Sequence, residues 1–276
     1  MKRRVALILG SGGARGYAHI GAIEILKEFN FEITSISGAS MGALVGGLYA
    51  ANKLKEYREW VESINVIDLL TLLDVGLGSA AIFKGDKVYS KLEELIGKVK
   101  IEELKIKYTA VAADIKNSKE YWFQEGDLLT AIRASSAIPA IFAPIKYKEM
   151  LLVDGGLLNP LPAAPLSSVD ADLTIAINLY DKDSPIFDKK SDESKMLKWL
   201  SKFIPQNRLN IFDIADMTFD TAQYSLTKYR LCGYYPDIIV NIPKNICKTF
   251  EYYRAKEIIK IGKDFTFETL RKEKII

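Results

Sequence analysis

Histidine is almost missing from this chain of 276 residues, which holds only His19. A single imidazole leaves no histidine-rich metal centre to build, and it stands before every candidate nucleophile described below. Cysteine is nearly as scarce. Cys232 and Cys247 have neither metal-ligand spacing nor histidine companions, which excludes a zinc site and leaves two ordinary reduced thiols, as expected in the cytosol. Charge of one sign is also lacking: 38 basic against 35 acidic residues give +3, too little and too dispersed for a nucleic-acid partner, and sufficient only for a mild attraction to anionic surfaces. No apolar run approaches the roughly 18 residues of a membrane-spanning helix. The basic start "MKRRVALILGSGG" carries too short an apolar stretch for a signal peptide and runs into a glycine turn, so it reads as a first strand. Acidic runs with calcium-loop spacing are absent too.

What is present is an alternation of short apolar runs with longer helical patterns. "RVALILG" and "ITSIS" read as strands, followed by helices over Ala14–Phe29 and Met41–Ala51. "YTAVAADI", "DLTIAINL" and "PDIIVNI" read as further buried strands. Helices are expected near 86–96, 128–135, 195–203, 211–229 and 252–270. This order predicts an α/β fold with a largely parallel sheet. In the first helix Tyr17, Gly21, Ile25 and Phe29 recur every fourth residue, predicting one face laid on that sheet. The polar stretch Asp181–Lys195 reads as an exposed excursion. One domain over 1–276 is expected, with a motif-bearing core over about 3–180 and a part over about 195–276 packed on it.

Three motifs carry chemistry. "LGSGGARG", Leu9–Gly16, joins the first strand to the first helix, where a glycine-rich turn aims free N–H groups at negative charge. A dinucleotide fingerprint would need glycine at 10, 12 and 15, but position 15 is Arg and the second strand ends without a ribose-binding acid. The second motif is Gly38-Ala39-Ser40-Met41-Gly42, a serine flanked by glycines between a strand and a small-residue helix, the pattern of a nucleophile on a sharp turn. A plain small-residue turn would satisfy the same spacing. The third, "LLVDGGLLNPLP", sets Asp154 at the end of a short apolar strand before Gly155 and Gly156; taken singly, such an acid reads as a turn former.

Together, "SGGARG", "GASMG", "ASSAIPAIFAP" and "DGGLLNPLP" occur in an order that resembles the patatin-like phospholipases, over about the first 165 residues. The resemblance implies a three-layer α/β/α fold with a mostly parallel central sheet and a serine lipid acyl hydrolase of the phospholipase A, lysophospholipase or esterase type. It implies a Ser40–Asp154 dyad acting without histidine through an acyl-enzyme, and an oxyanion hole from the backbone of Gly12, Gly13 and Ala14. Gly10, Ser11, Arg15, Gly16, Gly38, Gly42, Gly155 and Gly156 would support those motifs. Ser11 departs from the family's usual glycine, which puts the contribution of its N–H in question. No metal and no cofactor is implied. The partner would be a lipid ester, a phospholipid or lysophospholipid, met by a cytoplasmic protein that visits membrane surfaces. An acyltransferase using the same dyad and a non-catalytic lipid-binding protein on the same fold are the alternatives.

Two assignments stay open on sequence. Arg15 either braces the glycine loop through carbonyl contacts or receives a phosphate head group; bracing is favoured because arginine forks commonly hold loops. The segment 60–88, rich in Ile64, Val66, Ile67, Leu69, Leu70, Leu72 and Leu73, is either a core helix with its connector or a lid that admits an acyl chain. His19 falls on the flank of the apolar stripe of the first helix and is expected to be a buried, hydrogen-bonded structural residue.

Overall fold

A computed structural model of the chain describes residues 2–72, 85–139, 141–166, 169–181 and 211–276. The expected helix over 195–203 and almost all of the polar excursion, like residues 73–84 of the apolar segment 60–88, lie outside the described residues.

The chain opens with β1 (Arg4–Leu9), whose near-continuous apolar run suits a strand buried on both faces of a parallel sheet. Then come a single 3-10 turn (Gly13–Tyr17), α1 (Ala18–Glu28), β2 (Glu32–Ala39), α2 (Met41–Ala50), α3 (Leu54–Ser63), α4 (Val66–Leu72) and α5 (Asp86–Ile96). β3 (Lys107–Asp114), β4 (Lys119–Phe123), α6 (Leu128–Ser135), β5 (Ile145–Tyr147) and β6 (Met150–Asp154) follow. The chain ends with β7 (Leu173–Asp181), α7 (Ile211–Gly233), β8 (Ile238–Pro243) and α8 (Ala255–Lys272). The sheet runs β5-β6-β3-β2-β1-β7-β8, with β4 also paired to β3. Strands β1, β2, β3, β7 and β8 are mutually parallel, whereas β4, β5 and β6 join antiparallel.

The two faces of the sheet separate along β1. Val5, Leu7 and Leu9 enter the large core shared with α1, α2 and α8. Ala6 and Ile8 instead join Leu161, Leu166 and Ala176, against which Leu231 of α7 packs. Helix α1 is buried on nearly all sides, and Gly21 meets α8 rather than the sheet alone. A Cβ there would lie 2.1 Å from the Ile259 carbonyl oxygen, and one on Gly262 would lie 2.1 Å from that of Ala18. The paired glycines therefore set how closely α1 and α8 cross.

The expected first helix over Ala14–Phe29 is thus two pieces, because Gly13 at φ 56° and the tight turn after it let the loop fold back before the α-helix begins.

One strand edge places the site. β3 pairs with β4 over Ala110–Asp114, and that stretch overlaps both its pairing with β2, which ends at Val111, and its pairing with β6, which begins at Ala112. A strand has two edges, so β2 and β6 share the edge opposite β4. Ala39 sits against Val111 and Asp154 against Ala112. Ser40 and Asp154 are thereby delivered to adjacent positions by strands that meet nearly end to end.

Candidate active site

Ser40 is the N-cap of α2 and has φ 55° and ψ −124°, a backbone conformation that a side chain adopts only at a cost of about 1–3 kcal/mol. Its neighbours explain the flanking glycines. A Cβ on Gly38 would fall 2.4 Å from the Gly42 carbonyl carbon, and one on Gly42 would fall 2.1 Å from the Leu9 carbonyl oxygen. Ser135 holds the strained turn in place, accepting from Ser40 N–H at 3.0 Å while donating its hydroxyl to the Val111 carbonyl at 2.6 Å.

Asp154 is fully buried. Its N–H bonds to the Ala137 carbonyl at 2.9 Å and its Oδ1 accepts Gly156 N–H at 2.7 Å. Oδ2 has no partner in hydrogen-bond geometry among the described residues. The Ser40 hydroxyl nevertheless faces the carboxyl closely enough to favour its ionised form. Burial outweighs the nearby Ser40 hydroxyl and the Gly156 N–H and pushes the Asp154 pKa up from 3.8 to about 7.

The glycine-rich loop lies at the carboxyl end of β1, beside the elbow at the end of β2, which is where open parallel sheets place their sites. Gly10 N–H donates to the Ile177 carbonyl, Ser11 N–H to that of Pro160 at 2.8 Å, and Ala14 N–H to that of Thr249 at 2.8 Å. Among the described residues only the Gly12 and Gly13 N–H groups of this turn lack an acceptor. Ala14, expected as a third oxyanion donor, has its N–H already bonded, and the same holds for Ser11. Gly16 packs against the Met41 side chain, and Gly155 against the Val111 carbonyl, so both are close-approach positions.

His19 is buried, with Nε2 at 2.7 Å from the Gly10 carbonyl and Nδ1 without a partner among the described residues. The carbonyl is an acceptor only, so Nε2 carries the proton and His19 fastens the loop. Burial lowers its pKa from 6.5 to about 4, although the Gly10 bond opposes this, and the ring is neutral at pH 7. Arg15 is buried as well. Its Nε donates to the Gly12 carbonyl, Nη2 reaches Asp220 Oδ1 at 2.9 Å, and the guanidinium lies 4.8 Å from the centre of the Tyr180 ring. Asp220 also receives Lys244 Nζ at 2.9 Å. Of the two readings of Arg15, this geometry is that of a loop brace; a guanidinium so enclosed has no face left for a head group.

An apolar pocket opens over Ser40, walled by Met41, Leu44, Tyr57, Leu92 and Phe142 among others. Helix α4 closes one side with Leu69 and Leu72. That helix starts in a reciprocal cap, where Asn65 Oδ1 accepts from Ile67 and Asp68 N–H and Asp68 Oδ2 accepts from Asn65 N–H. The described part of segment 60–88 is thus wall to this pocket, with Ile67 left 60% exposed outside it.

Several supporting residues were not legible in the sequence. Ser135 lies inside "ASSAIPAIFAP" without a distinguishing signal. Asp220, Gln223 and Tyr180 meet the loop from α7 and β7, and no local pattern marks a helix residue whose partner lies two hundred positions away. Among the described residues no three of His, Cys, Asp and Glu converge to hold a metal ion.

A serine on a strained strand-to-helix turn, a buried carboxyl beside it and a glycine loop with two open N–H groups set the chain among mostly parallel α/β/α proteins with their site at the carboxyl ends of the strands. The patatin-like phospholipase family model matches residues 7–167, and the chain belongs to that family. It is 35% identical to an uncharacterized NTE family protein of Mycobacterium tuberculosis, over 97% of this chain and 91% of that one. It is 33% identical to human patatin-like phospholipase domain-containing protein 6, over 94% of this chain but 20% of the much longer human protein. The crystal structure of VipD from Legionella pneumophila shares the fold, with a TM-score of 0.51 and 15% identity over 98% of this chain and 67% of VipD. Family membership supports a lipid hydrolase at the level of class.

Proposed function

We propose that the chain hydrolyses carboxylic esters of lipids, phospholipids or lysophospholipids among them, with Ser40 as nucleophile and Asp154 as its base. The observation that carries this reading is the meeting of Ser40 with a buried carboxyl of raised pKa, while the one histidine is occupied at Gly10. Ser40 Oγ attacks the ester carbonyl carbon as its proton passes to Asp154. The oxyanion of the tetrahedral intermediate lies at Gly12 and Gly13 N–H, where a single such donor is worth about 3 kcal/mol. Collapse expels the alkoxide, which takes the proton from Asp154 and leaves an acyl-Ser40 ester. A water, deprotonated in turn by Asp154, attacks the acyl carbon, and collapse releases the fatty acid as Asp154 returns the proton to Ser40 Oγ.

A carboxyl with a pKa near 7 is a far better base for a serine than one near 4, and about half of it is ionised at neutral pH. The pocket takes the acyl chain against Leu44, Leu69 and Leu92. No step requires calcium. Residues 1–276 act as one unit, peripheral at a cytoplasmic membrane surface, with the exposed Ile67 beside the pocket suited to that contact. The test is labelling with a fluorophosphonate and mapping of the adduct: the label falls on Ser40, and an adduct on any other residue removes the assignment.

A further inference from the structure

Helix α7 buries a polar face. Asp220, Gln223 and Thr227, spaced as one helical stripe, are all buried, and Gln223 has no exposed surface. A helix normally turns apolar residues inward, so buried polar side chains at three such positions need partners. For Asp220 these are the Arg15 guanidinium and the Lys244 ammonium; Thr227 donates to the Gln223 carbonyl of its own helix.

Gln223 reaches two separate parts of the candidate site. Its Nε2 donates to Ser11 Oγ at 3.2 Å, one residue before the open N–H of Gly12. Its Oε1 accepts the Tyr180 hydroxyl. The same amide packs against Gly156, where a Cβ would come within 2.2 Å of Nε2, and Gly156 N–H is the group that bonds Asp154 Oδ1. Ser11 N–H is held by the Pro160 carbonyl, and its hydroxyl meets the Gln223 amide. The departure from glycine at position 11 thereby gains a physical reason: the hydroxyl is the loop's handle for this amide.

We infer that Gln223 is a positioning residue that sets the oxyanion loop and the Asp154 turn relative to each other, which makes α7, outside the matched family segment, part of the catalytic apparatus. This rests on the Ser40–Asp154 reading for its kinetic consequence but not for its structural one. Donors that serve only the transition state act on kcat, and a misplacement of about 1 Å can cost about 100-fold.

The test uses the full chain with Gln223→Met, Ser11→Ala, the double variant, and Tyr229→Ser on the exposed side of the same helix as control. Steady-state kinetics on a p-nitrophenyl ester are expected to show kcat lowered about 10- to 100-fold in each single variant at unchanged KM. The double variant should be no worse than the poorer single one, because both cut the same link. Ser11→Ala leaves α7 intact, so it carries the test if Gln223→Met does not fold. Amide hydrogen exchange supplies a readout without substrate: Gln223→Met should speed exchange in both 10–16 and 154–159, and Ser11→Ala in 10–16 alone. Losses that multiply, a rise in KM at constant kcat, wild-type kinetics, or faster exchange confined to α7 would each overturn the inference. Hydrolysis that survives Ser40→Ala would instead refute the dyad and leave the exchange result standing.

Discussion

The Asp154 carboxyl and the His19 imidazole are buried in the forms that oppose each other's effect on stability, and replacing either one should expose the other. Asp154 has its pKa raised from 3.8 to about 7, so between those values the folded chain keeps a proton that the unfolded chain has released. Stability therefore falls as pH rises through this window. At about 1.4 kcal/mol per pH unit the full cost is about 4 kcal/mol once the carboxylate is ionised. His19 is lowered from 6.5 to about 4, so in that range the unfolded chain binds the extra proton and stability rises with pH, by about 3 kcal/mol in all. Over about pH 4 to 6.5 the two slopes nearly cancel in the wild type.

Asp154→Asn keeps the shape and removes one slope. Relative to wild type it should gain about 4 kcal/mol by pH 8 and nothing near pH 4, while being inactive. His19→Gln should leave the opposite slope, with stability declining from pH 4 to 7. Urea unfolding followed by circular dichroism at half-unit pH steps measures both, as shifts in midpoint at constant m. An Asp154→Asn stability curve parallel to wild type across pH 4 to 8 would show that the carboxyl titrates normally and would remove the physical basis for its use as a base.

Three further outcomes follow from the site. Ser40→Ala should reduce ester hydrolysis to below about a thousandth, and Ser40→Gly should do the same while gaining about 1 kcal/mol in unfolding free energy, since glycine relieves the positive φ. Arg15→Met leaves Asp220 buried with only Lys244 and should cost about 3 kcal/mol or more in chemical denaturation, whereas a neutral effect would mean that the buried pair contributes nothing. Leu92→Trp, which fills the pocket wall, should shift the preferred p-nitrophenyl ester to shorter acyl chains, and an unchanged chain-length profile would place the acyl group elsewhere.

The parallel half of the molecule could be read from the chain because its rules are local. "RVALILG", "YTAVAADI" and "PDIIVNI" are apolar runs of strand length and became β1, β3 and β8, while Gly38 and Gly42 announced a turn that only glycine can pack. The antiparallel additions were not legible. "KEYWF" alternates weakly and forms β4 through its partner β3, and β5 is three residues held by β6. Ala14 shows a different limit: its place in the motif suggested a free N–H, but the acceptor at Thr249 comes from the far end of the chain. Helix α7 was visible as a helix, yet its buried Asp220 and Gln223 have meaning only against Arg15 and Ser11.

The shared edge of β3 also bears on when during folding the protein can become active. Side chains alternate between faces along a strand, so a slip of β6 by one position against Ala112 would turn the Asp154 carboxyl to the opposite side of the sheet while leaving most backbone pairing intact. A half-assembled sheet, or one closed in the wrong frame, would carry the elbow serine but no base beside it. Ester turnover, where the proposed activity is measured, is then a readout of correct strand registry.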